Sequence, residues 1–190
     1  MNFNFFAYIS RMRYIGRWSL MRNSLPENIQ EHSHMVAVIA HALAVIRRDV
    51  LGIPCDPNEY ATAALYHDCS EILTGDLPTP IKYYNPGIKD AYKEVERIAG
   101  ENLLDKLPAE LRQCYEHLVL EDDPDVTPTV KAADKLSAHL KCLEEQKAGN
   151  TEFDTAARQT WEAMKALDMP ELDWFLDNCL AAFTLNLDQL

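Results

Sequence analysis

The stretch Tyr66-His67-Asp68-Cys69-Ser70-Glu71-Ile72-Leu73-Thr74-Gly75-Asp76-Leu77-Pro78-Thr79-Pro80 sets the frame for the whole chain. Its first nine residues lie in a helix that Asp56-Pro57 opens, with Glu59 as box partner, and that ends just before Gly75. The adjacent pair His67-Asp68 therefore falls near a helix end. His32 lies on an earlier helix and Asp134 on a later one. Two imidazoles and two carboxylates suit a borderline or hard divalent cation. Ligands drawn from three separate helices meet only if the fold brings them together, and ordinary packing does not explain that.

Working outward, nearly every segment predicts a helix with its own start and stop. Asn28 with Glu31 three residues on forms a capping box, and Gly52 ends the run that follows. Met35, Ile39, Leu43 and Ile46 recur within it at helical spacing and mark a buried stripe. Residues 1–13 predict a first helix; they lack the basic leader and cleavage site of a signal peptide. Pro78 and Pro80 stop the third helix and stiffen a loop that serves either to hold a substrate or simply to connect. Residues 88–107 and 108–121 form two helices, 122–125 an acidic turn, and Thr127-Pro128 opens a helix reaching Gly149. Thr151 with Asp154 caps the next, and Pro170 starts the last. No alternating segment or internal repeat is present. The expectation is an all-α fold, a single-domain helical bundle with short loops over residues 1–190.

Composition narrows the function. With 30 acidic against 18 basic residues, the formal charge is -12, which disfavours a nucleic acid polymer as partner. A small phosphorylated substrate remains compatible, because a bound cation and one arginine reverse the local field. The five cysteines are odd in number and show no C-x-x-C spacing, as expected of reduced thiols in a cytoplasmic protein. No stretch reads as long and apolar enough to span a bilayer, so no membrane partner is expected.

The remaining histidines fall off the ligand faces. His34 and His41 lie about 200° and 180° round the helix from His32, and His139 about 140° from Asp134. They are assigned, with His117, to packing or solvent. Glu71 shares a helix face with His67 and neighbours Asp68. It stands beside the metal without binding it, as a general acid or base does. As a plain surface carboxylate it would sit unfavourably at the helix's negative end. Arg17-Trp18, between the first two helices, offers a planar fork for phosphate and a rigid wall.

Four stretches together resemble the HD-domain metal-dependent phosphohydrolases, and within them the bacterial 5'-deoxynucleotidases. They are Arg17-Trp18-Ser19-Leu20-Met21-Arg22-Asn23, Glu31-His32-Ser33, the Tyr66 to Pro80 stretch, and Lys131-Ala132-Ala133-Asp134 with the helix after it to Gly149-Asn150. The resemblance covers nearly the whole chain. It implies a homodimer that hydrolyses deoxyribonucleoside 5'-monophosphates to deoxynucleoside and phosphate. It implies one divalent cation on His32, His67, Asp68 and Asp134, with cobalt, manganese or copper supporting activity. Substrate would then lie against His32, Asp68 and Asp134. Arg17 would contact its phosphate, and Trp18 with Asp76, Leu77, Pro78 and Thr79 its sugar. Glu71 and Arg17 are the expected catalytic groups. Two alternatives stay open: hydrolysis of triphosphates or cyclic nucleotides at the same centre, and a non-catalytic metal-binding helical dimer module.

Overall fold

Asn28 begins the helix on which the rest is built. Its side chain accepts from the Gln30 and Glu31 backbone N–H groups, and the Glu31 carboxylate reaches back to the Asn28 N–H, so the expected capping box is present. The structure is a computed structural model that describes residues 3–82 and 84–190. The helices in chain order are α1 (Phe5–Ile9), α2 (Ile29–Val45), α3 (Pro57–Tyr66), α4 (Glu71–Thr74), α5 (Thr79–Lys82), α6 (Pro86–Leu104), α7 (Ala109–Leu120), α8 (Thr127–Lys147), α9 (Asp154–Lys165) and α10 (Pro170–Asn178). No strand occurs among the described residues; Gly16 and Asn28 form an isolated antiparallel bridge. The all-α expectation holds. Met1 and Asn2, part of the predicted first helix, lie outside the described residues; the rest of it is α1 followed by a 3-10 turn, Ser10–Tyr14.

Helix α2 packs against both α3 and α8, and α8 against α9. Val36, Ile39 and Leu43 of α2 meet Tyr60 and Ala64 of α3, Val130, Leu136 and Leu140 of α8, and Met164, Leu172 and Phe175 from the last two helices. Truncating a fully buried member such as Leu43 should cost about 2–5 kcal/mol. A second cluster joins Phe5, Met12 and Ile29 to Cys69, Leu103, Leu104 and Val119. Cys69 is thus a packed thiol. Met35 departs from the predicted stripe: it is exposed, and Val36 takes the inward position.

Four further expectations are corrected. The helix from Asp56 does not run to Gly75; it stops at Tyr66, turns through His67–Ser70 and resumes as α4. Thr79-Pro80 opens the short helix α5, where a proline in the first turn gives up no hydrogen bond. Asn150, whose side chain accepts from the Glu152 N–H, caps the turn before α9 in place of Thr151. A membrane-spanning length does exist: Ile29–Val50 covers 22 residues and is apolar enough by composition, contrary to the sequence reading. More than half of its apolar window is buried inside the fold. Its apolarity is that of a central core helix.

Candidate active site

His32 lies in the first turns of α2, wholly buried. Its Nδ1 is 3.3 Å from the Ser137 hydroxyl on α8, and its Nε2 is 3.0 Å from Asp134 Oδ1 and 3.7 Å from Asp68 Oδ2. His67 follows the last residue of α3. Its Nδ1 donates to the Ala64 carbonyl at 2.7 Å, which fixes a proton there and turns Nε2 inward. That buried Nε2 makes no hydrogen bond, although Asp68 Oδ2 stands 3.1 Å away.

A buried ring nitrogen with no hydrogen-bond partner, facing a carboxylate, calls for a positive charge between them, a proton or a cation. Ligand atoms of His32, His67 and Asp68 all lie within 4.8 Å of one another. Atoms bound tetrahedrally at about 2.1 Å stand roughly 3.4 Å apart, and Asp68 Oδ2 lies 3.7 Å from His32 Nε2 and 3.1 Å from His67 Nε2, on either side of that value. The donor set therefore fits a divalent cation. Asp134 touches His32 but stands outside the mutual group of three.

The charges are strongly interdependent. Burial works against a charged His67, but Asp68 and Asp134 outweigh it and push the imidazole up to about 10. Burial also opposes the Asp68 carboxylate, yet His67, Arg17 and His32 hold it well below the usual carboxylate range. Desolvation opposes the charge of Asp134 as well, although its side chain is 35% exposed, and its bond to His32 holds it down to about 2. Glu71 moves the other way. Burial, then the charges of Asp68 and Asp76, lift its carboxyl to about 9. Glu71 is 6% exposed and its Oε2 has no hydrogen-bond partner, so it is not a surface carboxylate. Nor does it sit at a helix's negative end, because the break after Tyr66 places it in the first turn of α4.

Arg17 and Trp18 form one wall. Arg17 Nη1 donates to Asp68 Oδ2 at 3.2 Å, and its Nε to Glu27 Oε2 at 3.3 Å. The same Glu27 oxygen accepts from Trp18 Nε1 at 2.9 Å. Trp18 packs on Phe153, with ring centroids 5.3 Å apart. Its backbone N–H faces the Asp76 carboxyl, whose protonation burial favours and Arg17 opposes. Asp76, Leu77 and Pro78 are half-buried after Gly75, whose φ of 73° turns the chain out of α4; Thr79 is exposed. His34, His41 and His117 are exposed, and His139 bonds Thr160 beside Trp161, so all four stand apart as expected.

The loop that follows Trp18 is fastened to α8. Glu145, 1% exposed, accepts from the Ser24 and Leu25 N–H groups and from Asn150 Nδ2. Lys141 donates to Glu145 at 2.5 Å and to the Leu25 carbonyl at 2.6 Å.

Sequence reading missed Glu27, Ser137 and Glu121. Glu27 belongs to no motif; its position opposite Arg17 comes from a backbone pairing in which Arg17 N donates to Glu27 O at 2.9 Å. Ser137 could have been found, because it lies one turn after Asp134 on the same face. Burial raises the Glu121 carboxyl, opposed by the charge of His67; a left-handed backbone at φ 51° aims this residue, which no local signal announces. A cavity of about 340 Å³ between α3, α7 and α8 includes Glu121, Thr62, His117 and Val130 in its lining but none of the four His and Asp residues, and is a separate feature.

Comparison with known proteins agrees with this geometry. Residues 4–183 match the family described as "5'-deoxynucleotidase YfbR-like". A 5'-deoxynucleotidase of Shewanella oneidensis is 46% identical over 187 residues, 97% of this chain and 96% of that protein. An HD-domain phosphohydrolase of Listeria innocua superposes with a TM-score of 0.83 at 24% identity, covering 95% of this chain and 88% of that one. A cyanophage S-2L HD phosphohydrolase, solved bound to dA and one catalytic Zn2+ ion, superposes with a TM-score of 0.66 at 21% identity, covering 92% and 95%. The two structural likenesses speak for the shared helical fold.

Proposed function

We propose, from the premise that the chain belongs to the YfbR-like family, that it is a 5'-deoxynucleotidase, releasing phosphate from deoxyribonucleoside 5'-monophosphates. The observation that carries this reading is the convergence of His32, His67 and Asp68 on one point, with the Arg17 guanidinium 3.2 Å from Asp68. Residues 1–190 act as one HD-type unit.

In this reading His32, His67, Asp68 and Asp134 hold one divalent cation. Their nitrogen and oxygen donors suit cobalt or manganese, and equally the zinc named for the phage enzyme. When bound, such an ion supplies Lewis acidity towards phosphoryl oxygen and water. Arg17 binds the equatorial phosphate oxygens as their charge develops. A single arginine beside the cluster matches a monophosphate better than a triphosphate tail. Glu71, lifted to about 9, keeps its proton at neutral pH and gives it to the leaving 5'-oxygen. A raised carboxyl suits the general-acid role. Trp18 crowds the 2' position, Asp76 accepts from the 3'-hydroxyl, and the backbone of Leu77, Pro78 and Thr79 borders the sugar.

The protein works as a cytoplasmic homodimer. The five free cysteines suit a reducing compartment, and the exposed Ile88, Val95 and Ile98 on α6 offer an apolar face for a second copy. The test is a phosphate-release screen of ribo- and deoxyribonucleotides at the mono-, tri- and cyclic-phosphate level with cobalt, manganese or zinc added. Release from deoxyribonucleoside monophosphates over their ribose counterparts is expected. Bound metal with no hydrolysis of any nucleotide would overturn the reading.

A further inference from the structure

Glu27 joins the two residues of the wall through one atom. Its Oε2 accepts from Trp18 Nε1 at 2.9 Å and from Arg17 Nε at 3.3 Å, and the Arg17 Nη1 then reaches Asp68 Oδ2 at 3.2 Å. A continuous series thus runs from Asp68 through Arg17 and Glu27 to Trp18. The ends are unlike: one is a metal-type carboxylate, the other an indole wall. Both Arg17 and Glu27 are largely buried, with side chains 13% and 16% exposed, so these bonds are shielded from competing water.

Trp18 needs such a tie. Its φ of 59° lies in the left-handed region, which is costly for a bulky side chain and persists only where the surroundings impose it. Its carbonyl accepts from Met21 N at 2.9 Å and from Asn23 Nδ2 at 3.4 Å, which fixes the backbone but not the ring. Phe153 supports the ring's apolar face. Glu27 fixes its polar edge.

We infer that Glu27 is a specificity-determining positioning residue. Its one oxygen sets the distance between the guanidinium that reads phosphate and the indole that reads the sugar's 2' carbon. This inference rests on the deoxynucleotidase reading above. Rejecting a single hydroxyl by crowding works only against a wall that does not retreat, and a displacement of about 1 Å is enough to change rates substantially. A carboxylate shared with Arg17 makes that wall rigid relative to the phosphate.

The test compares kcat and KM for a deoxyribonucleoside 5'-monophosphate and the ribonucleotide of the same base, with the supporting cation present. Glu27→Ala should lower the deoxy-over-ribo ratio of kcat/KM by roughly tenfold, the weight of one hydrogen bond to a charged group. Glu27→Gln keeps an acceptor oxygen and should hold the ratio within about threefold of the parent. Glu27→Asp keeps the charge but withdraws the oxygen by one methylene and should also lower the ratio, so the test stands even if Glu27→Ala fails to fold. Combining Glu27→Ala with Trp18→Phe should lower the ratio no further than either change alone. A folded Glu27→Ala enzyme with the parent ratio, or strictly additive losses, would overturn the role of Glu27. A parent enzyme with no preference for deoxyribose would overturn the functional reading itself, and the two failures are told apart by the parent protein alone.

Discussion

The Nε2 of His32 stands 3.0 Å from the carboxylate of Asp134, across the contact between α2 and α8. The two residues are 102 apart in the chain, so the pair reports directly on how those helices are docked. Asp134→Ala should lose bound metal and phosphatase activity together while leaving the helical content intact. Elemental analysis beside a phosphate-release assay checks this; full metal with lost activity would give Asp134 a different role.

Glu71 should separate from the ligands in the same pair of assays. Glu71→Ala is expected to retain metal while turnover falls by roughly 10²–10⁴-fold, the usual weight of a general acid. Loss of the metal along with turnover would instead place Glu71 among the ligands.

Cation uptake should expel protons. In the metal-free protein His67 is pushed up to about 10, so at neutral pH it carries a proton on the nitrogen that must bind the ion. Affinity then rises with pH through the neutral range, with about one proton released per ion near pH 7. Calorimetric titration in two buffers of different ionisation enthalpy counts that proton, and a count of zero would contradict the charge state described.

Trp18→Ala should admit ribonucleotides. Removing the indole opens space at the 2' position, so kcat/KM for ribonucleoside 5'-monophosphates should approach that for the deoxy forms. Unchanged discrimination would refute crowding as its source.

Acid stability should depend on Glu145. Burial opposes its charge, but Lys141, Asn150 and the Ser24 N–H hold its carboxyl well below the usual value of 4.5. A depressed folded-state pKa contributes stability that is present above the unfolded-state value and is lost as pH falls through and below it. Glu145→Gln, which leaves Lys141 buried without its anion, should cost about 3–5 kcal/mol near pH 7. The gap in Tm between parent and variant should narrow steadily below about pH 4.5. A gap independent of pH would mean that the carboxylate's charge contributes nothing.

Much of this was legible in the chain itself, for identifiable reasons. Capping residues and prolines such as Asn28, Pro57 and Pro170 act locally, so helix starts could be placed before any packing was known. The ligand types stood out because buried histidine and aspartate are costly without a purpose. What escaped was set by tertiary contact. Glu27 faces Arg17 only because the backbone doubles back between Gly16 and Asn28. Met35 is exposed because α3 and α8 approach α2 from a slightly different side than the bare periodicity indicates. The interruption between Tyr66 and Glu71 carries no glycine or proline to announce it.

That interruption has a consequence for anyone transplanting this centre. On an unbroken helix, consecutive side chains diverge by about 100°. His67 and Asp68 nevertheless meet, Nε2 3.1 Å from Oδ2, on a tightened turn whose backbone bonds run from Cys69 N to Tyr66 O and from Glu71 N to Asp68 O. A designer who copied the two letters side by side onto a straight idealised helix would lose that tightened turn. The irregular turn must be copied with them, or one ligand shifted three or four positions along.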